Sequence, residues 1–484
     1  MKIAFVASEG VPFSKTGGLA DVVGALPKAL AGLGHEVETI LPRYRSTQSG
    51  PTVPGAQSLT IPLGGGYKFA TAQDGGRVHG VQTYLIDCPE FFDRDGLYQH
   101  KGQDYPDNPT RFATFSLAAL ELLKRSPRAP DLIHCHDWQS ALLPVYLKNL
   151  YRGDRYFRST SVMFTIHNLG YQGLFPPHVL PQISLPGSLF TIDALEYYGM
   201  VNPLKGGILF ADFVTTVSRK YAEEIQTAEF GCGMEGVLRS RADRLQGILN
   251  GVDYTEWDPA TDKLLAANYT PVKLEGKKVC KKALLEKMGA TAPVLERPVI
   301  GIVSRFASQK GFDLISNIAE QLAALDLTIV ALGTGEPAHE ELFRNMAAKY
   351  PQKFLVKIAY DNALAHQIEA GSDMFLMPSR YEPCGLNQIY SLKYGTVPIV
   401  RATGGLDDTI EAFDGKAGTG FKFQEYSPPA LQEAVQSALK TYRTPAAWQQ
   451  LVQNGMKQDF SWTTSARAYE QIYQTLQKDR AAEG

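Results

Sequence analysis

Two doubly wound α/β sheets, one after the other along the chain, are what this sequence predicts. Three observations predict them. Short apolar runs alternate with helix-like stretches from residue 2 to about residue 250. The rhythm breaks in a polar, turn-rich stretch, "NGVDYTEWDPATD", and then restarts and continues to about residue 400. Each half also carries the same corner, TGGL, at Thr16–Leu19 and at Thr403–Leu406, directly before a helix-like stretch. Such alternation favours an open, mostly parallel sheet with helices on both faces, and 484 residues suffice for two of them.

The elements follow in order. "KIAFVAS" is a short buried strand. After the first glycine corner, Leu19, Val22, Val23, Leu26, Leu30 and Leu33 share one helical face, and Pro27 inside that helix predicts a kink or a break. Gly34 ends the helix and "HEVETILP" is the second strand. "GVQTYLID", "DLIHCH", "SVMFTIH", "DFVTTVS" and "LQGILNG" follow as strands, most with helices between them, such as Phe112–Lys124. Residues from about 250 to 275 read as a linker. Beyond it, "RPVIGIVSR" is a strand, "GFDLISNIAEQLAAL" a helix, and "LTIVALG", "KFLVKIAY", "DMFLMPS" and "TVPIVRA" are strands. A polar helical segment from about Trp448 closes the chain.

Composition excludes several classes. Hydrophobic residues make up 44% and charged residues 20%, as in an ordinary soluble protein. A formal net charge of -2 supplies no field for nucleic acid or an anionic membrane, and no apolar run is long enough to span a bilayer. The N-terminus enters a strand at once, with Glu9 and Lys15 close behind, unlike a signal peptide. The five cysteines are scattered and form no CxxC pair, so neither a disulfide framework nor a structural zinc site is expected. A reducing cytoplasm is the simplest compartment.

Ligands of such sheets sit beyond the carboxyl ends of the strands. A glycine corner there lets backbone approach a ligand, and the following helix offers free N–H groups to an anion. The two TGGL corners are then either two walls of one cleft or two ordinary loop–helix junctions. In "VSRFASQKGFDL", Arg305, Lys310 and Gly311 stand between a strand end and a helix start; they are either a diphosphate site or solvated surface cations. In "SRYEPCGLNQ", Glu382 follows a strand and either grips sugar hydroxyls or is an acid favoured at a helix start. Cys384 has no histidine near it in sequence, which disfavours a covalent role. His134, His136, Asp137 and His167 lie near strand ends; hydrogen-bonding roles are preferred to zinc ligation, since no Cys or Glu ligands cluster with them. Asp93 and Asp95 form a DxD in a polar loop and read as structural. Gly333–Gly335 and Gly418–Gly420 lack the dinucleotide fingerprint, as does "FVASEGVPF", so a nicotinamide dehydrogenase is poorly supported.

Seven stretches in order, "KTGGLADVVGALP", "HDW", "IHNLGYQG", "ILNGVD", "VSRFASQKG", "SRYEPCGLNQ" and "TGGLDDT", resemble bacterial glycogen synthases and plant starch synthases, the ADP-glucose-dependent enzymes of glycosyltransferase family five. The resemblance spans essentially the whole chain. It implies a GT-B fold, two Rossmann-like domains facing across a deep cleft: residues 1–250 on the acceptor side, residues 251–457 binding the nucleotide sugar, and a helical tail, residues 458–484, crossing back to the first domain. It implies transfer of glucose from ADP-glucose to the non-reducing end of an α-1,4-glucan (glycogen, starch or a malto-oligosaccharide), with retention, and with no metal or other cofactor, nucleic acid or membrane involved.

The resemblance also implies roles. Lys15, Gly17 and Gly18 would meet the donor. Arg305 and Lys310 would hold its diphosphate and Tyr360 would stack on adenine. His167 and Asn250 would bond glucose hydroxyls, with Asp137 near the acceptor. Glu382 would contact the transferred glucose, and the backbone of Cys384, Gly385 and Leu386 would line its pocket. Thr403, Gly404 and Gly405 would close around the phosphate. Glu382, Arg305, Lys310, His167 and Lys15 carry the expected catalysis. Departures are small: Gln139, Gly170, Tyr381 and Asn387 stand where relatives often have histidine, alanine, phenylalanine and threonine. The rivals are a glucan phosphorylase, which needs pyridoxal phosphate, a UDP-glucose enzyme, and a glucan-binding scaffold without turnover.

Overall fold

The computed structural model describes residues 1–47, 56–291 and 294–483. The chain forms two compact units. The first comprises Met1–Val217, Ala222–Gly251 and Trp462–Gly484; the second comprises Ser218–Tyr221 and Val252–Ser461.

The first unit is built on a nine-stranded sheet. Its strands lie in the order Leu245–Gly247, Phe213–Thr216, Ser161–Ile166, Leu132–His136, Lys2–Val6, Glu36–Pro42, Val81–Asp87, Gly66–Val78 and Gln57–Leu63. Seven run parallel, with Ile3 opposite both Val37 and Leu132. The last two are antiparallel and were not foreseen. The register slips between Asp74 and Arg77, where Gly75 and Gly76 interrupt the strand; polar residues and glycines hide the alternation. Lys2–Val6 is wholly buried, as a strand covered on both faces must be. The helix Gly18–Gly32 runs on through Pro27 without a break. The helix Trp462–Glu483 belongs to this unit: Trp462, Ala466, Tyr469, Tyr473 and Leu476 join Ile3, Phe5, Leu26 and Leu30 in one core, and Gly251 leaves room for Trp462, whose Cα lies 2.6 Å from where a Cβ would be.

The second unit holds a six-stranded parallel sheet in the order Phe354–Ile358, Thr328–Gly333, Val299–Val303, Met374–Met377, Val397–Arg401 and Phe421–Phe423. The predicted single helix after Gly311 is two, Phe312–Asn317 and Ala319–Ala324. Ser316 Oγ and Asn317 Nδ2 bond back to the carbonyls of Phe312 (2.7 Å) and Asp313 (2.9 Å), competing with the helix where it breaks. The stretch read as a linker does carry the chain from the first unit to the second, at Gly251 and Val252, but beyond that point it is packed into the second unit. The Trp257 ring stacks on His366 (3.7 Å) and Tyr390 (3.8 Å), and the buried Asp262 carboxylate accepts from Tyr394 Oη (2.6 Å) and pairs with His366 Nδ1 (2.7 Å). Its polarity is that of a buried hydrogen-bonded network, which composition cannot tell from a solvated loop. None of the five cysteines forms a disulfide, and among the described residues no helix is long and apolar enough to cross a membrane.

Candidate active site

In the first unit the candidate residues gather beyond the carboxyl ends of four parallel strands. Lys2–Val6 leads through Ser8 and Glu9 into the first glycine corner. Glu9 is buried. Its carboxylate accepts the Thr16 backbone N–H, the Thr16 hydroxyl (2.7 Å) and the Tyr98 hydroxyl (2.6 Å); Tyr98 Oη is also bonded to Ser8 Oγ (2.7 Å). The corner is therefore tied down from beneath. Lys15, half-exposed, pairs with Asp21 at 2.7 Å. At Gly17 and Gly18 a Cβ would meet nothing within 4 Å, so the space above this backbone is open.

The strand Leu132–His136 ends at Asp137, whose backbone is left-handed (φ 55°). That turn brings the Asp137 carboxylate under the next strand end, where it accepts the His167 backbone N–H at 2.7 Å. Burial pushes the Asp137 carboxyl up to about 7 despite the His167 and Asn168 backbone donors. His167 Nε2 lies 3.0 Å from His136 Nδ1, and burial lowers His167 to about 3, so its ring is neutral. His134 bonds Tyr473 Oη (2.8 Å) and Thr165 Oγ1 (2.6 Å). Asn250 is buried and its Oδ1 has no hydrogen-bond partner among the described residues, an acceptor that a hydroxyl donor would satisfy.

In the second unit, Lys310 Nζ donates to Glu382 Oε2 at 2.6 Å, and Ser379 Oγ donates to the same oxygen at 3.1 Å. Glu382 is buried, while Lys310 reaches solvent. Gly311 is left-handed (φ 80°) and the place of its missing Cβ lies 2.1 Å from the Pro378 carbonyl oxygen, so only glycine lets Lys310 approach the Glu382 loop this way. Arg305 is exposed, its guanidinium 3.4 Å from Gln309 Oε1. Tyr360 is 85% exposed, an aromatic side chain available for stacking. Cys384 is buried, Gly385 is left-handed (φ 71°), and Gln388 Nε2 ties the Cys384 and Gly385 carbonyls together at 3.0 Å. The loop ends at Leu386, before the helix Asn387–Lys393.

The second glycine corner is not a copy of the first. The places of the missing Cβ atoms of Gly404 and Gly405 lie 2.0 Å from the carbonyl oxygens of Glu382 and Cys384, and the Gly405 N–H donates to Glu382 O at 3.0 Å. These glycines let Thr403–Gly405 seat against the Glu382 loop. Gly333 and Gly335 do the same for Ser304 and Phe306, whose carbonyl oxygens lie 1.9 and 2.1 Å from the Cβ places. Asp93 and Asp95 both hold Arg45 at 2.8 Å, an exposed structural cluster. Among the described residues no group of three His, Cys, Asp or Glu side chains could hold a metal ion.

The structure thus brings Lys310, Glu382 and the Thr403–Gly405 corner together in one unit, and Asp137 and His167 together in the other. Sequence reasoning missed Glu9, Tyr98 and the pairing of His136 with His167. Glu9, directly after the first strand, was the legible signal.

The model of the starch synthase catalytic domain matches residues 2–240, and that of glycosyl transferases group 1 matches residues 286–455. Glycogen synthase of Koribacter versatilis is 56% identical over 483 residues, covering 99% of each chain. Glycogen synthase of Geotalea daltonii is 47% identical over 98% of this chain and 99% of its own. The catalytic domain of starch synthase IV from Arabidopsis thaliana, bound to ADP and acarbose, superposes with a TM-score of 0.90 at 35% identity, covering 98% of this chain and 99% of its own. Sucrose-phosphate synthase from Thermosynechococcus elongatus shares the fold, with a TM-score of 0.60 at 18% identity over 98% of each chain.

Proposed function

We propose a donor, an acceptor and a mechanism for this chain, which belongs to the glycogen and starch synthase family and is a glycosyltransferase of the GT-B fold that transfers glucose in glycogen synthesis. The donor is ADP-glucose, the acceptor the non-reducing end of an α-1,4-glucan, and the α configuration is retained. The observation that carries this reading is the Lys310–Glu382 pair: a cation and a buried carboxylate side by side suit a diphosphate joined to a sugar. The ADP and acarbose bound to the starch synthase IV relative support the nucleotide and the glucan.

Breaking the glycosidic C–O bond leaves positive charge on the sugar and negative charge on the departing diphosphate. Lys310, Arg305 and Lys15 neutralise the diphosphate, and preorganised cations of this kind act most strongly where water is excluded. No metal is assigned a part. His167 and Asn250 hold sugar hydroxyls, Asp137 serves the acceptor side, and Tyr360 stacks on adenine. The acceptor hydroxyl attacks on the face from which the diphosphate leaves and gives its proton to a phosphate oxygen. Retaining glycosidases instead use a carboxylate pair about 5 Å apart, one member a nucleophile. Glu382 Oε2 accepts from Lys310 and Ser379, which supports a role as positioner and charge stabiliser. The enzyme works in the cytoplasm.

The test is nucleotide release with glycogen as acceptor, from ADP-glucose and from UDP-glucose, with and without chelator. ADP release with glucan growth, indifferent to chelator, is expected. Release from UDP-glucose alone changes the donor, loss in chelator restores a metal, and glucan binding without release from either donor leaves a scaffold. A pyridoxal absorption band in the purified protein would identify a phosphorylase instead.

A further inference from the structure

His136 has one job left over once packing is accounted for. It ends the strand Leu132–His136 and is fully buried. Its ring lies on Phe5 (centroids 5.5 Å apart, planes 16°) and on His134 (4.2 Å, 29°), so its orientation is fixed. Its Nδ1 lies 3.0 Å from His167 Nε2. Its Nε2 is buried with no partner among the described residues. His134, by contrast, has both ring nitrogens engaged.

Burial lowers all three histidines, and the neighbouring Asp137 carboxylate takes the His167 backbone N–H, so the rings are neutral. Two proton arrangements then exist. In one, His167 Nε2–H donates to His136 Nδ1, and the second proton of the pair sits on His136 Nε2 as a buried orphan N–H. In the other, His136 Nδ1–H donates to His167 Nε2, and only a lone pair is left orphaned. A buried N–H without an acceptor is the rarer and costlier defect.

We infer that His136 is a positioning residue that holds His167 in the tautomer protonated at Nδ1, so that His167 meets its sugar hydroxyl as a hydrogen-bond donor. The inference rests on the reading of His167 as a sugar contact. It also assigns the hydroxyl's own proton elsewhere: that hydroxyl accepts from His167 and donates to a second group.

The test uses the full chain with 15N-labelled histidine, its ring signals assigned with single His variants. Ring-nitrogen shifts separate protonated from bare nitrogen; protonated Nδ1 and bare Nε2 are expected for His167. His136→Asn places an amide N–H where Nδ1–H stood, and should keep both the tautomer and kcat/KM. His136→Met fills the same space with a thioether sulfur, an acceptor without a donor. It should let His167 shift its proton to Nε2 and lower kcat/KM by about tenfold, the scale of one hydrogen bond. Its melting temperature should stay near that of the parent, since the orphan nitrogen is gone. A parent His167 protonated at Nε2 overturns the inference, as does a His136→Met enzyme with unchanged tautomer and kcat/KM. Should the parent show the Nδ1 tautomer yet transfer glucose from neither donor, the role of His167 toward a sugar falls while its tautomer stands.

Discussion

Replacing one glycine by alanine in each TGGL corner separates two functions of the same four letters. At Gly405 the new methyl would sit 2.0 Å from Cys384 O and 2.5 Å from both its carbonyl carbon and Cα. Every obstructing atom is backbone. Moving it breaks the Gly405 N–H to Glu382 O bond and shifts the loop that carries Glu382. Overpacking costs about 1–3 kcal/mol where side chains can yield; here none can, so Gly405→Ala should cost about 3 kcal/mol or more. In a unit of this size that lowers the melting temperature by about 6–12 °C. At Gly17 the backbone is extended (φ -158°, ψ -167°) and a Cβ meets nothing within 4 Å. Gly17→Ala should therefore change stability by no more than about 0.5 kcal/mol. If the donor packs on this backbone, kcat/KM should nevertheless fall. Scanning calorimetry, which resolves two units where a single melting curve blends them, and nucleotide release measure both effects. A Gly405→Ala protein melting within 2 °C of the parent (about 0.5 kcal/mol) would refute the packing argument. A folded Gly17→Ala enzyme with undiminished kcat/KM would make the first corner only a helix start.

Three further outcomes are expected. Lys310→Ala should cut turnover by about 10²–10³ while costing about 1–3 kcal/mol of stability, the worth of a bond to a charged group; near-normal turnover in the folded variant would sink the diphosphate assignment. Glu382→Gln keeps the shape and one acceptor for Lys310, so activity should fall without vanishing, and mass spectrometry should find no glucosyl ester on the parent enzyme; a trapped ester on Glu382 would make it a nucleophile. Glu369 is buried; its Oε2 accepts from the Ser391 hydroxyl (2.7 Å), and its Oε1 has no hydrogen-bond partner among the described residues. Burial raises its carboxyl from 4.5 to about 8. The folded state thus keeps a proton that the unfolded chain gives up. The Glu369 contribution to stability is full below about 4.5 and is lost as pH rises towards about 8. Glu369→Gln should remove that slope from the pH dependence of unfolding, and an unchanged slope would show that Glu369 is ionised in the fold.

Periodicity made most of the two parallel sheets legible, because a strand buried on both faces must be a short apolar run bounded by turns. It failed where burial is achieved without apolarity. Gly66–Val78 lies next to the sheet edge with much of its length exposed, and its polar sequence shows no run to read. Trp257 and Asp262 looked like linker residues because polar side chains satisfied by one another look, in sequence, like polar side chains satisfied by water. Ser316 and Asn317 ended a helix through bonds to its own carbonyls, an effect that hydrophobic spacing does not register.

The candidate site was legible as residue types and not as partnerships. Lys310 and Glu382 are 72 positions apart and meet at 2.6 Å; each was read beside its own helix start, and neither reading contained the other. Glu9 went unread because a lone acid after a strand has no motif, although it fixes the corner that Lys15 and Gly17 occupy. The repeated TGGL shows why a motif alone cannot assign a role. Glycine permits close approach, but what approaches is set by the rest of the fold: open space above Gly17 and Gly18, the carbonyls of Glu382 and Cys384 above Gly404 and Gly405. The first corner can admit a ligand to its backbone. The second has its Cβ places taken by the Glu382 loop, so a side chain added there strikes the protein itself.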